Sequence, residues 1–117
     1  MEPSTDLQSF KADFFKALAH PIRIRILELL RAHDRSVQEL QALLDLDQST
    51  VSQQLAVLRA KNVVTARKEG TTVRYAMRDA LVGDLLDVAR RIFNNQLTGT
   101  QTMLRQLRQE ARRPARR

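Results

Sequence analysis

The chain has 117 residues, of which 43% are hydrophobic, 4% are aromatic and none is cysteine. This length predicts one domain with an aliphatic core, and the absence of cysteine excludes disulfides, thiolate metal sites and thiol redox sensing. No apolar run approaches the roughly 20 residues that span a bilayer, and the polar, acidic N-terminus is unlike a signal peptide. We therefore expect a cytoplasmic protein without a membrane partner.

The net charge of +7 is concentrated in two segments. Residues 59–78 carry six Lys or Arg against one Glu, and residues 105–117 carry six Arg against Glu110. A local cluster of cations suits contact with phosphates, whereas an Arg-rich chain end is often only solvated.

The first two helices are predicted from their start signals. Thr5 with Gln8 resembles a capping box and predicts a helix that ends near Ala19. Pro21 suits the first position of a second helix, where a backbone N–H is not needed. Apolar and basic residues alternate over Ile22–Leu27 as in a strand, but the apolar pattern that follows favours a helix.

A third and a fourth helix follow after a short gap. Ser36 and Glu39 form a second capping box, which predicts a helix through about Leu44. Asp47 is a suitable N-cap for the next helix, which is expected to end near Lys61.

Two short strands and a long helix complete the chain. Val63–Lys68 and Thr71–Met77 are rich in β-branched residues, and Gly70 permits a hairpin turn between them. From about Asp79 a long helical pattern follows; Gly99 weakens it and leaves a bend or break open.

The order α-α-α-α-β-β-α predicts a mainly α fold with a small β-hairpin, a winged helix-turn-helix. We expect residues 1–112 to form one winged-helix domain with a basic tail at 113–117. Its DNA-binding core would cover about 20–78, and its dimerisation helices about 6–19 and 79–112.

The fourth helix carries side chains able to bind the edges of DNA bases. Amide groups can pair with adenine, and hydroxyl groups can serve several bases or phosphates. The alternative is that these polar groups only solvate an exposed helix face, and Ser52 could pack toward the preceding helix. The predicted base-contacting residues are Ser49, Thr50, Ser52, Gln53 and Gln54.

Cations near the hairpin are candidates for phosphate contact. Arg59 lies at the end of the fourth helix, where capping is an equally good role. Arg67, Lys68 and Arg74 flank the hairpin tip, and Thr72 adds a polar group. Strand alternation places Arg67 and Lys68 on opposite faces, so both cannot face DNA equally.

The last helix has two parallel apolar stripes. One can cover the domain, and the second then needs a partner, which a homodimer would supply. The alternative is a wide core-facing stripe in a monomer. The predicted interface residues on this helix are Leu85, Val88, Ile92 and Phe93.

Three segments together resemble one known family. They are KALAHPIRIRILELL from Lys16, SVQELQALLDLDQSTVSQQLAVLRAKNVV from Ser36 and ARKEGTTVRYAM from Ala66. In this order and spacing they are similar to the ArsR/SmtB family of bacterial winged-helix repressors. The resemblance implies a homodimer formed by the first and last helices, which adds Phe10 and Phe14 of the first helix to the predicted dimer-interface residues. It also implies binding to an inverted-repeat operator in double-stranded DNA, with release by an effector.

The usual sensor sites of that family are not matched. One type has Cys-Val-Cys where Ser36–Gln38 stand here, and another has Asp and His ligands on the last helix. This chain has Asp79, Asp84 and Asp87 there, but no His after His33. Carboxylates alone suit Zn²⁺ and softer metals poorly, so no metal site or cofactor is expected and the effector is unknown.

Other functions find little support in the sequence. We expect His20 to hydrogen-bond locally at a helix boundary and His33 to be exposed. No P-loop, GxSxG or HExxH pattern occurs, so an enzyme is not expected. Two alternatives stay open: a sensor of a non-metal small ligand at the dimer interface, and a winged-helix module that binds proteins.

Overall fold

The computed structural model describes the backbone of residues 3–112 and the side chains of residues 6–111, so the predicted tail at 113–117 lies outside the described residues. The elements in chain order are α1 (Pro3–Leu18), α2 (Pro21–Ala32), β1 (Arg35–Ser36), α3 (Val37–Leu44), α4 (Gln48–Ala60), β2 (Val64–Glu69), β3 (Thr72–Met77) and α5 (Leu81–Arg112). This order confirms the mainly α winged helix-turn-helix and adds one short strand. The chain divides into two compact units, Met1–Gly83 and Asp84–Arg117.

The boundary between α1 and α2 follows the predicted pattern, whereas the start of α1 does not. Pro21 lies at the start of α2, and the N-cap His20 accepts a hydrogen bond at Nδ1 from the N–H of Ile22 at 3.1 Å. The local role predicted for His20 is confirmed. The predicted start of α1 is wrong: the helix already begins at Pro3, which places Thr5 inside it. The side chain of Thr5 lies outside the described residues.

Both predicted caps of the helix-turn-helix are confirmed. The hydroxyl of Ser36 accepts from the N–H of Glu39 at 3.1 Å, and Glu39 Oε1 accepts from the N–H of Ser36 at 2.9 Å. Asp45 ends α3 in the left-handed conformation, with φ of 56°. Asp47 Oδ1 then accepts from the N–H of Thr50 at 2.8 Å and opens α4. These local hydrogen bonds fix where α4 begins.

The core of the first unit is aliphatic, as its composition requires. Its largest fully buried side chains come from α2, α3, α4, the start of β2 and the residue before it: Ile26, Leu27, Leu40, Val51, Leu55, Leu58, Val63 and Val64. Three of them belong to α4, which fixes the rotation of that helix about its own axis. The opposite side of α4 is thereby turned toward solvent.

The β2–β3 hairpin, called the wing below, is antiparallel, with Val64 paired to Met77 and Glu69 to Thr72. Gly70 has φ of +67° at the first of the two turn residues, the position that a type II′ turn reserves for glycine.

A third strand was not predicted. In β1, Arg35 pairs with Tyr75 and Ser36 with Arg74, which gives the strand order β1-β3-β2. The expected two-stranded hairpin is therefore a three-stranded sheet. Two residues are too few to show a strand period, and their partners lie about forty positions away.

In the second unit, α5 continues without a break through Gly99, so the helix is not split there. A methyl group placed on Gly99 would meet no atom within 4 Å. None of the helices among residues 3–112 is long and apolar enough to cross a membrane.

Candidate nucleic-acid interface

The outward side of α4 is the first part of the candidate interface. Val51, Leu55 and Leu58 face the core. Because successive helical residues turn by about 100°, Ser49 and Gln53 project from the opposite side, and both are exposed. Neither side chain hydrogen-bonds to another residue in the part of the chain described. These two groups are therefore available to bind an external partner.

Two of the other predicted contacts have internal partners. Hydrogen bonds from the side chain and the backbone N–H of Thr50 lower the pKa of Asp47. The side-chain oxygen of Gln54 accepts from Arg23 Nη1 at 2.9 Å, and Arg23 Nε donates to the carbonyl of Ala17 at 2.7 Å. Thr50 thus serves the start of α4, and Gln54 ties α4 to the α1–α2 junction. These bonds leave the Gln54 NH2 group and the acceptor side of the Thr50 hydroxyl for an external partner.

Arg67 of the wing is bound by carboxylates of its own chain. Its Nη1 lies 2.6 Å from Asp34 Oδ2, and its Nη2 lies 3.2 Å from Glu69 Oε2. The hydrogen bond with Asp34, followed by that with Glu69, raises the pKa of Arg67. The guanidinium is therefore directed toward the α2–β1 turn as well as along the strand.

Arg74 is held in the same way from the opposite strand. Its Nη1 lies 3.1 Å from Glu39 Oε1, and its Nη2 donates to the carbonyl of Asp34 at 2.9 Å. The hydrogen bonds from Ser36, together with the positive charge of Arg74, lower the pKa of Glu39. Arg74 is consequently a structural tie between the wing and the start of α3.

These ion pairs change the electrostatics expected of the wing. Arg67 and Arg74 face Asp34, Glu39 and Glu69, so this cluster has more carboxylates than guanidinium groups. Composition could not reveal this, because Asp34 lies 33 residues before Arg67. The cations of 59–78 that are exposed and have no ion pair to another described residue are Arg59, Lys61, Lys68 and Arg78.

Sheet register separates the two faces of the wing. Lys68 pairs with Val73, and Arg67 pairs with Arg74, so Lys68 and Arg67 project from opposite faces. The opposite orientation expected from alternation is thus present. Thr72 is half-buried at the first position of β3, across from Glu69, and its role in binding stays a prediction.

Two residues at positions that match the family's metal sites make structural hydrogen bonds here. Ser36 is 5% exposed and caps α3. Asp79 Oδ1 accepts from the N–H of Leu81 at 2.9 Å, at the start of α5. Within residues 3–112, no group of three or more His, Cys, Asp or Glu is placed to hold a metal ion. His33 is exposed, as expected, and its Nδ1 lies 2.9 Å from the carbonyl oxygen of Asp34.

Comparison with known proteins identifies the family. Residues 20–66, from the N-cap of α2 into β2, match the family described as "Bacterial regulatory protein, arsR family". The HTH-type transcriptional regulator Rv0081 of Mycobacterium tuberculosis is 46% identical over 106 residues, which cover 90% of this chain and 93% of that protein. The chain belongs to the ArsR family. The family predicted from the three sequence segments is thereby confirmed.

Other members of the ArsR family place the fold and the class of function. The crystal structure of Rv0081 has a TM-score of 0.73 and covers 86% of this chain and 98% of that one. The biofilm growth-associated repressor of Agrobacterium fabrum is 38% identical over 82 residues, 70% of each chain. Members of this kind are transcriptional regulators and not enzymes.

A solution structure from Mycobacterium bovis is also similar. It is described as the homodimeric winged helix-turn-helix DNA-binding domain of Mb0332, a possible ArsR-family regulator. It has a TM-score of 0.75 and 28% identity, and it covers 83% of this chain and 90% of that one. The winged helix-turn-helix is thus confirmed by related structures as well as by the order of elements.

Proposed function

We propose that this chain is a homodimeric repressor that binds an inverted-repeat operator, with α4 of each copy in the major groove. The observation that carries this proposal is the exposed side of α4. There Ser49 and Gln53 have no internal partner among the described residues, while the opposite side of the helix is fixed in the core. Because the core fixes the orientation of α4, the same side-chain donors and acceptors would face the base edges in each complex.

Within this arrangement, Gln53 is the leading base contact, since its amide can pair with both N6 and N7 of adenine. Ser49 and Ser52 lie on the same half of α4. Of the cations predicted to bind phosphates, Lys68 and Arg59 pair with no carboxylate of the described residues, whereas Arg67 and Arg74 do. The binding core is then residues 20–78, as the sequence predicts.

Exposed apolar side chains on α1 and α5 support a homodimer. Phe10 is 74% exposed, Ile92 50% and Phe93 57%, and Val88 is also exposed, while Phe14 and Leu85 are half-buried. The Phe14 ring also meets Phe15 edge to face, with centroids 5.5 Å apart. Exposing so much aromatic and aliphatic surface is costly in water. A second copy covers it and supplies the two-fold symmetry of an inverted repeat.

We also propose that this regulator works without the family's thiolate or histidine metal sites. Ser36 is used as a buried cap and Asp79 as the cap of α5, so neither position offers a thiolate or imidazole. Titration calorimetry with Zn²⁺, Cd²⁺ and Ni²⁺ tests this. We expect no tight stoichiometric heat, and tight binding at one ion per subunit would contradict it.

Base recognition is tested with DNA that the protein selects from a pool of random duplexes. Gln53→Ala should change base preference at one position of each half-site, at about 1–3 kcal/mol per lost bidentate pair. Gln38→Ala, at an exposed Gln on α3, is the matched control and should leave preference unchanged. If a Gln53/Gln54 double alanine variant bound every operator variant as the parent does, recognition would not lie on this face of α4.

The dimer is tested separately by sedimentation equilibrium. Ile92→Asp places a charge within the exposed apolar surface of α5 and should shift the protein toward monomer. Asn94→Asp, on the same helix but outside the apolar stripes, adds the same charge and should leave the dimer intact. Equal behaviour of the two variants would remove α5 from the interface.

A further inference from the structure

A surface depression lies between α4 and the wing. Its volume is about 440 Å³, and it is formed by the C-terminal half of α4 on one side and β3 on the other. The residues that line it are Ser52, Leu55, Ala56, Arg59, Ala60 and Tyr75. The depression lies entirely within the first compact unit, beside the exposed side of α4.

The chemistry of this depression suits an anion. Ser52 and Tyr75 each offer a hydroxyl donor, and Arg59 offers a guanidinium. None of these three groups has a hydrogen bond or ion pair to another residue among 6–111. No carboxylate lines the depression, in contrast to the wing arginines, which already bind Asp34 and Glu39. The remaining lining residues are aliphatic, so they supply shape and no competing charge.

Tyr75 is placed by the sheet. It pairs with Arg35 of β1 and with Ala66 of β2, which makes it a central-strand residue with neighbours on both sides. Tyr75 lines the same depression as Ser52 and Arg59 of α4. The sheet therefore fixes the backbone position from which the Tyr75 side chain reaches this depression.

The depression lies beside the exposed side of α4, the side that the proposed function places in the major groove. Many of the hydrogen bonds that a protein makes with DNA go to phosphate oxygens, so a group of donors beside the recognition helix suits the adjoining backbone. The inference therefore rests on the proposed function and adds a particular ligand to it.

We propose that the depression binds one phosphodiester of the operator backbone, held by Ser52, Arg59 and Tyr75. Tyr75 is then a DNA-contacting residue, and its hydroxyl donates to a phosphate oxygen. Arg59 provides the charge, and the Ser52 hydroxyl gives a second neutral donor from the helix. A contact of this kind fixes the register of α4 in the groove without selecting a base.

The experiment combines Tyr75→Phe with neutral methylphosphonates placed one at a time in a duplex selected by the parent protein. Tyr75→Phe removes only the hydroxyl and should weaken binding about tenfold for each half-site, as expected for a hydrogen bond to a charged group. At one phosphate in each half-site, the methylphosphonate should remove most of the difference between variant and parent. Arg59→Gln should also weaken binding to unmodified DNA, and a methylphosphonate at the same position should remove most of that loss. In addition, this variant should lower the slope of log affinity against log salt by about 0.9 per copy.

Arg25→Gln is the matched control, because Arg25 lies on α2 and pairs with Glu28 at 3.2 Å. It should leave both affinity and the methylphosphonate pattern as in the parent. Thermal melting followed by circular dichroism checks that each variant is folded; Ser52→Ala, read in the same way, replaces Tyr75→Phe if that variant is unfolded.

Two results would overturn the phosphate site. One is parent-like affinity of Tyr75→Phe for unmodified DNA. The other is that the difference in affinity between Tyr75→Phe and the parent stays the same at every methylphosphonate position. Both differ from a failure of the proposed function, in which the parent itself would select no DNA from the random pool.

Discussion

Arg67 and Lys68 are neighbours on β2 and carry the same charge, but the structure assigns them different electrostatic surroundings. Arg67 faces Asp34 at 2.6 Å and Glu69 at 3.2 Å, whereas Lys68 projects from the other face with no ion pair to a described residue. We therefore expect Lys68→Gln and Arg67→Gln to affect DNA binding unequally. The pair forms its own control, because each variant removes one positive charge from the same strand.

The size of the effect follows from counterion release. If Lys68 neutralises one phosphate per copy, its loss should lower the slope of log affinity against log salt by about 1.8 for a dimer. Between about 50 and 200 mM salt, the parent would then lose roughly 12-fold more affinity than the variant. For Arg67→Gln we expect no more than about half of this change in slope. An Arg67 that turned to a phosphate would leave Asp34 unpaired beside the DNA.

The assay is fluorescence anisotropy of one selected duplex at several salt concentrations. Asp34→Asn adds a test of the cause, because it removes the carboxylate nearest to Arg67. In that background, Arg67→Gln should lower the slope more than it does in the parent, although Glu69 still pairs with Arg67. Arg25→Gln, far along the sequence on α2, should leave the slope unchanged.

The reasoning fails if Arg67→Gln and Lys68→Gln lower the slope equally in the parent background. It also fails if Asp34→Asn leaves the effect of Arg67→Gln as it was. Either result would mean that DNA takes Arg67 from its carboxylates without a penalty, and the ion pairs of the wing would then not limit phosphate contact.

Three further predictions concern stability. Leu55→Ala should lower the free energy of unfolding by about 2–5 kcal/mol, since it empties a core position, as measured by urea denaturation; Gln53→Ala, at an exposed position of the same helix, should change it little. Gly99→Ala should raise the helix stability of α5 by up to about 1 kcal/mol, seen as slower amide exchange, and faster exchange there would contradict an open environment at Gly99. Hydrogen bonds from Thr50 lower the pKa of Asp47, so its contribution is present above the ordinary Asp pKa and is lost as pH falls through the lowered one. Asn is an equally good cap, so Asp47→Asn should have the same free energy of unfolding as the parent near neutral pH and should lose less of it in acid. An acid unfolding transition identical to that of the parent would argue against the Asp47 carboxylate as the source of this pH dependence.

The elements that were predicted correctly depend on local chemistry. Pro21, the Ser36 capping box, Asp47 and Gly70 each act on residues within a few positions, so their types and spacing are sufficient evidence. The long apolar pattern of α5 also predicts its helix correctly, because periodicity over many residues is a strong signal.

The features that escaped prediction depend on contacts between distant residues. β1 exists because Arg35 and Ser36 meet β3, and no property of two residues indicates that. Asp34 belongs to no motif in the sequence, yet it binds both wing arginines from 33 and 40 residues away. Tyr75 similarly comes to lie beside Ser52 and Arg59 only because the sheet packs near α4.

Ser36 has a consequence for how this molecule can be switched. One residue ends β1 against Arg74 of the wing and at the same time caps α3, while Arg74 also binds Glu39 in the first turn of that helix. A rotation of the wing relative to α3 would therefore break the pairing of Ser36 with Arg74 or the ion pair between Arg74 and Glu39. If the chain forms the proposed dimer, a signal that releases DNA without breaking these contacts would have to change the spacing between the two copies.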